Sequence, residues 1–350
     1  MSTPAQTSQP SVPTRSPGRQ ILRHAERVLL VAGTGLFIFL IYQLGPGTVL
    51  TNLRIVGWGI VVVVAQEIIA YTANTLGWRS AFPPPRPAIS LRRMLPARIA
   101  GDAVNYVTPT ATLGGEFVRT RLLRDDAPST SLVASVAVAK LTQTVGQVAF
   151  VIVGLTLVIN ETPLPPPVRR AILTGLTLFT ALVVGLVLLQ RRGMFAPLLR
   201  LAHRLGLPAR SPDTMRRLEH LDREIARFHG SAAAPFLSSS AIFFVGWCAG
   251  VIEIYLILWL LDVPVTLHRA LTIEVLSVAI DGTLFFVPLK AGTQEGGKVL
   301  IFTLLGLDPA KGLALGIVRR IRELSWALIG LVILSRHHLL RQGAAPPPSD

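Results

Sequence analysis

Residues 101–117 read GDAVNYVTPTATLGGEF, a polar interruption in a chain that is otherwise overwhelmingly apolar. The stretch carries an aspartate, an asparagine, a proline, a glycine pair and a glutamate, too polar a set for an ordinary membrane span. Long hydrophobic runs flank it. Across the 350 residues, 51% are hydrophobic and 15% charged, and the mean hydropathy is +0.54. Soluble domains are nearer one quarter charged, so the composition is that of a membrane protein. The uncharged runs Val28–Leu53 and Ala171–Gln190 each suffice to cross a hydrocarbon core of roughly 30 Å. No block shows the ten-residue alternation of a barrel strand. The fold class is an all-α polytopic membrane protein.

Six spans are expected, at about 27–44, 54–78, 131–158, 171–190, 236–261 and 312–334. Residues 1–24 form a Ser-, Thr- and Pro-rich tail expected to be disordered, and 336–350 form a short C-terminal tail. The membrane domain covers 25–335, with a basic, partly amphipathic segment at 191–234. That segment and the stretch WRSAFPPPRPAISLRRMLPAR are rich in arginine, whereas Gly45–Asn52 and Asp262–Thr266, read as loops, have almost no Lys or Arg. The positive-inside rule then puts both termini in the cytoplasm. The net charge of +15 is explained by such loops and by anionic lipid, not by nucleic acid. The single Cys248 excludes a disulfide framework and a cysteine metal site.

Two segments fit no span, 96–124 and about 270–308, and they share a register. Asp102, Pro109 and Glu116 recur as Asp281, Pro288 and Glu295 at a constant offset of 179 residues. At that offset Arg119 matches Lys298, Tyr106 matches Phe285, and Lys140 matches Arg319. The chain therefore reads as a divergent internal repeat, about 54–158 and about 235–334. If each polar segment dips in and returns, three crossings between the copies make them enter from opposite faces, the inverted-topology plan of many secondary transporters. The prolines would break the helix near each hairpin tip.

An ionised side chain in mid-membrane costs roughly 2.5–3.5 kcal/mol, so it lines a wet cavity or pairs with another charge. Glu67, Lys140, Glu253, Asp281, Lys290, Glu295 and Lys298 all fall within or between spans, and IVRRIRELSW places Arg319, Arg320, Arg322 and Glu323 just inside the last. Cationic side chains beside helix ends suit a phosphate or carboxylate headgroup. The glycines at 114–115 and 296–297 would permit close backbone approach or tight helix packing. GTQEGGKV, residues 292–299, imitates a nucleotide-binding loop but has Val299 where a Ser or Thr must hold magnesium. No metal-ligand spacing and no nucleophile elbow occurs, so neither an enzyme nor a cofactor is expected.

GDAVNYVTPTATLGGEFVRTRLL resembles the N…P…GGE…R signature of the lysylphosphatidylglycerol synthase transmembrane region, the flippase-like domain family. DGTLFFVPLKAGTQEGGKVLIFTLLGL with GIVRRIREL resembles its hopanoid-biosynthesis-associated branch. The resemblance covers about 25–335 and implies a bacterial inner-membrane protein that handles lipids, with no soluble synthase domain alongside. It points to Asn105, Pro109, Gly115, Glu116 and Arg119 in the first hairpin. In the second half it points to Asp281, Pro288, Gly292, Glu295, Arg319, Arg320 and Arg322. Asp102, Lys140 and Lys298 join this set through the repeat. The expected partners are membrane lipids, with an anionic headgroup or a hopanoid, lipid-synthesis enzymes, and a second copy of the chain. The competing expectation is a non-catalytic scaffold for such enzymes.

Overall fold

The computed structural model describes residues 35, 38–108, 113–158, 166–191, 204, 212–230, 233–283 and 292–342. Among these the secondary structure is helical throughout: α1 (Pro46–Val56), α2 (Gly59–Ser80), α3 (Leu91–Val107), α4 (Leu113–Leu122), α5 (Ser129–Val158), α6 (Pro166–Arg191), α7 (Pro212–Gly230), α8 (Ala233–Leu260), α9 (Leu267–Thr283), α10 (Thr293–Leu304) and α11 (Pro309–Gln342). Four described stretches, Gly59–Ser80, Ser129–Leu157, Arg169–Leu189 and Ala233–Leu260, are long and apolar enough to cross a membrane. The expected first span lies mostly outside the described residues. The expected last span falls within α11, whose 34 residues suffice in length but whose charges at 319–323 break the apolar run.

One sequence expectation is corrected. Gly45–Asn52, read as a loop, is mostly the helix α1. Pro46 starts it without losing a needed N–H, and Gly57 at φ 48° stops it. Val49 and Val56 are buried, so tertiary packing holds a helix where the Pro, Gly and Thr content reads as a turn.

The 179-residue offset reappears in the helix boundaries. Shifted by it, α2, α3, α4 and α5 fall on α8, α9, α10 and α11 to within a few residues. The packing partners exchange in the same way: α3 lies on α11 as α9 lies on α5, and α5 lies on α8 as α11 lies on α2. Helices α2 and α8 pack against each other and run antiparallel. A Cβ at Gly59 would strike Leu260, and one at Gly77 would strike Phe243.

Two apolar cores occupy the two ends of this arrangement. The first contains Trp78, Phe82, Met94, Ala97, Leu122 and Leu123. The second contains Ile257, Leu261, Ile273, Leu276, Ile301 and Phe302, the same six positions 179 residues later. Hairpin α3–α4 has both its outer ends rooted in the first core, and hairpin α9–α10 has both in the second. At 1.5 Å per residue α4 is about 15 Å long, half a hydrocarbon core. Each hairpin therefore has both outer ends at one end of the fold, and the two hairpins are rooted at opposite ends.

The expected basic segment is described over 212–230 as α7. Its apolar face, with Leu221, Ile225 and Phe228, is buried in the first core. Arg216, His220, Arg223 and Arg227 form its exposed stripe.

Candidate functional site

Along α2 and α11 charged residues lie between the two cores, while Glu253 on α8 is flanked by Val251 and Ile254 of the second. On α2, Glu67 and Tyr71 fall between Val63 and Trp78; on α11, residues 319–323 fall between Val318 and Ile333. The result is a polar layer at mid-depth, assembled from both hairpins and these three helices.

Hairpin one is a tight ion-pair unit. Gly101 and Gly115 bring α3 and α4 into backbone contact, because a Cβ on Gly115 would lie 2.1 Å from the Gly101 carbonyl oxygen. The Gly115 N–H donates to Asn105 Oδ1 at 2.7 Å, giving a helix-end amide a partner beside the tip. Asp102 accepts from Arg98 Nε at 3.0 Å and from Arg119 Nη2, and Arg119 Nη1 donates to Glu116 at 2.9 Å. Both guanidiniums are buried. Arg93 and Asp126, 3.1 Å apart, tie the base of the hairpin at its surface.

Hairpin two is built differently in detail. At the 179-residue offset Gly115 meets Gln294, so the glycine pairs 114–115 and 296–297 are not equivalent positions. Gly292, at φ 70°, adopts the left-handed conformation that starts α10. Glu295 and Lys298 are buried in α10, and Asp281 lies near the end of α9 within electrostatic reach of Arg319. Pro109 and Pro288, expected at the two tips, lie outside the described residues.

Arg320 joins the two hairpins. Its guanidinium donates to Glu295 at 2.8 Å and, through Nη1, to the Tyr106 hydroxyl at 3.2 Å, linking the start of α10 to the last turn of α3. Beside it, Gln294 Nε2 donates to Glu323 at 3.1 Å. Arg319 is held by Glu253 at 2.9 Å and by Glu274 at 2.5 Å. Arg322 is held by Glu67 and, at 3.2 Å, by Glu253. All three arginines of the expected phosphate cluster are thus engaged by carboxylates. Lys140 stands apart on the exposed face of α5, within electrostatic reach of Glu116.

A cavity of about 120 Å³ opens in this layer between α2, α3 and α11. Glu67, Tyr71, Asp102, Tyr106, Arg322, Glu323 and Trp326 line it. Trp326 packs on Tyr71 with ring centroids 4.7 Å apart and donates its indole N–H to the Val64 carbonyl at 2.9 Å. That space has room for several water molecules or a small polar group.

The sequence-selected residues therefore fall into two groups. Asp102, Glu295, Arg320 and Arg322 line the cavity or bridge its walls, while Asn105, Gly115, Glu116 and Arg119 shape hairpin one behind it. The selection omitted Tyr71, Tyr106, Arg98, Glu274 and Trp326, and counted Glu67 and Glu253 only among the span charges. One signal for Tyr106 was present: its register with Phe285 places an aromatic residue four positions after the aspartate and three before the proline in each copy.

The fold and site together define a helical membrane protein with two opposed hairpins and a charged layer between them. The chain belongs to the family of the Lysylphosphatidylglycerol synthase TM region, which it matches over residues 27–331. No curated protein and no solved structure matches it significantly.

Proposed function

We propose that this protein translocates a lipid, passing the headgroup through the polar layer while the apolar tail stays in the surrounding hydrocarbon. The carrying observation is Arg320, which bridges the two hairpins next to a mid-depth cavity. Family membership supports a lipid-related, flippase-like role. The arginine-rich ends of α2, α3, α4 and α7 gather at the first core and favour a cytoplasmic location for that end, with the protein in a bacterial inner membrane. The protein acts without covalent chemistry or a cofactor.

The cavity lining refines the headgroup. Three carboxylates, two tyrosines and a tryptophan face it, and its one guanidinium is already shared. Such a lining accepts hydrogen bonds from hydroxyls or an ammonium more readily than it pairs with a bare phosphate. A polyol or amino headgroup, as on a functionalised hopanoid, fits these walls better than a simple anionic one.

The test is lipid movement in vesicles containing purified protein, read by dithionite quenching of a fluorescent headgroup label. Glu295→Gln removes the anion that holds Arg320 between the hairpins and should slow movement at least about tenfold, the effect of roughly 1.4 kcal/mol. Glu116→Gln should slow it as well. If both variants, made at normal levels, move lipid at the parent rate, translocation through this layer is wrong. The exposed stripe on α7 supports the alternative of a scaffold for lipid-synthesis enzymes. When Arg216 and Arg223 are replaced by alanine, a scaffold would lose partner capture and function together, whereas a translocator would keep its lipid movement in vesicles.

A further inference from the structure

The polar layer contains a continuous chain of ion pairs that the headgroup pathway does not require: Glu67–Arg322–Glu253–Arg319–Glu274. It runs from the cavity on α2, through α11 and α8, to α9 in hairpin two. Three carboxylates share two guanidiniums, so with every group ionised the chain carries one excess negative charge. Glu323 approaches Arg322 only at 3.8 Å and adds to that excess. Burying an uncompensated charge is strongly unfavourable, so one carboxylate of the set needs a proton or another cation.

Only one of the three is accessible. The Glu253 and Glu274 side chains are 1% and 5% exposed, whereas Glu67 is 20% exposed and lines the cavity. The groups facing Glu67 are Arg322, Arg319 and Glu323 from α11, Glu253 from α8, Asp102 and Tyr106 from α3, and Tyr71 on its own helix. Asp102 is neutralised by Arg98 and Arg119, which leaves Glu67 as the terminus where charge can change. The repeat underlines this choice. At the 179-residue offset Glu67, Glu253 and Arg322 match Gly246, Asn74 and Gln143, so the chain exists once rather than twice. A device that gives direction to an otherwise symmetric carrier must be of this asymmetric kind.

We propose that Glu67 is the proton-coupling residue of the translocator, a role that rests on the translocation reading above. In the step, a proton from the aqueous phase bonds to a Glu67 carboxylate oxygen, and the same O–H bond breaks on release to the other side. Arg322 keeps Glu253 as its counter-ion throughout. Protonation frees the cavity-facing side of Arg322 and neutralises the chain, so a headgroup hydroxyl oxygen accepts from Arg322 only while Glu67 carries the proton, and headgroup and proton bind together.

Two measurements separate this proposal from the reading beneath it. The first needs no lipid substrate: Trp326 shares the cavity with Glu67, so its fluorescence should titrate as pH is varied from about 4 to about 9. The Glu67→Gln protein should lose that titration, Glu67→Asp should keep it with a moved midpoint, and Trp326→Phe should remove the signal. The second uses vesicles of phosphatidylethanolamine and phosphatidylglycerol with fluorescent analogues of each. A tenfold proton gradient should shift the leaflet ratio of a carried label by up to about tenfold for one proton per lipid, and Glu67→Gln should abolish the shift. If lipid moves but neither the titration nor the gradient effect depends on residue 67, the coupling proposal is overturned and translocation stands. If the titration is present and no lipid moves under any gradient, the translocation reading falls, and the coupling role falls with it.

Discussion

A single carboxylate, Asp102, holds two buried guanidiniums in hairpin one, while Glu116 holds only one of them. The two acids, alike in sequence as members of a repeated motif, therefore differ in what their loss leaves behind. Asp102→Asn strands Arg98 without a carboxylate and should cost about 3–5 kcal/mol, the effect of breaking a buried pair from one side. Glu116→Gln leaves Arg119 still bound to Asp102 and should cost less than half of that. Thermal unfolding of the detergent-solubilised protein, followed by intrinsic fluorescence, gives the order; equal losses would mean that the pairs are not organised as described. The motif residues of hairpin one were legible because their partners lie close in sequence, within a stretch whose polarity stands out. Arg322 and Glu67 are 255 residues apart, and no periodicity or spacing announces which carboxylate an arginine will meet at that separation. Reading the arginines as a free phosphate cluster followed from seeing the cations without their partners.

At the scale of helices, the internal register did most of the predictive work. Repeated Asp, Pro and Glu positions anticipated two helical hairpins, and the two apolar cores show the physical basis for the register. Each copy must bury the same six positions at its root, so the same spacing of apolar residues persists even where the polar residues diverge. What the register did not reveal was α1, because a short helix with Pro and Gly at its ends relies on burial of two valines rather than on propensity. It also did not show that α7 turns its apolar face into the protein instead of into lipid. The opposed roots of the hairpins make a prediction about sidedness. In a Cys248→Ser background, Arg124→Cys, just after α4, and Asp308→Cys, just before α11, lie exposed at the two ends of the fold. Treated with a membrane-impermeant maleimide, spheroplasts should label the protein at 308 and, only after lysis, at 124. Labelling of both from one side would mean that the hairpins do not oppose each other.

For the molecule as a whole, the antiparallel pair α2 and α8 is the element about which the two copies exchange, and neither helix belongs to a hairpin. Under the proposed translocation the moving part is either the hairpins with α5 and α11, or the central pair itself. Small residues favour the first. Gly77 is filled by the Phe243 ring and Gly59 by Leu260, and the Ser239 hydroxyl, itself 2.8 Å from the Thr142 hydroxyl, donates to the Gly77 carbonyl at 2.9 Å. Close-packed contacts of this kind are bistable at best and do not slide. The cavity, by contrast, lies between α2, α3 and α11, where the bridge through Arg320 can open. A Cβ built on Gly246 lies 3.6 Å from the Ala73 Cβ, inside the roughly 3.5–4.5 Å range of a disulfide. The Ala73→Cys, Gly246→Cys protein, again with Cys248→Ser, should therefore cross-link under mild oxidation. It should also keep lipid movement within about twofold of its reduced form, since 0.4 kcal/mol is all that such a factor represents. Efficient cross-linking with loss of movement would make the central pair the moving part and turn the hairpins into fixed walls.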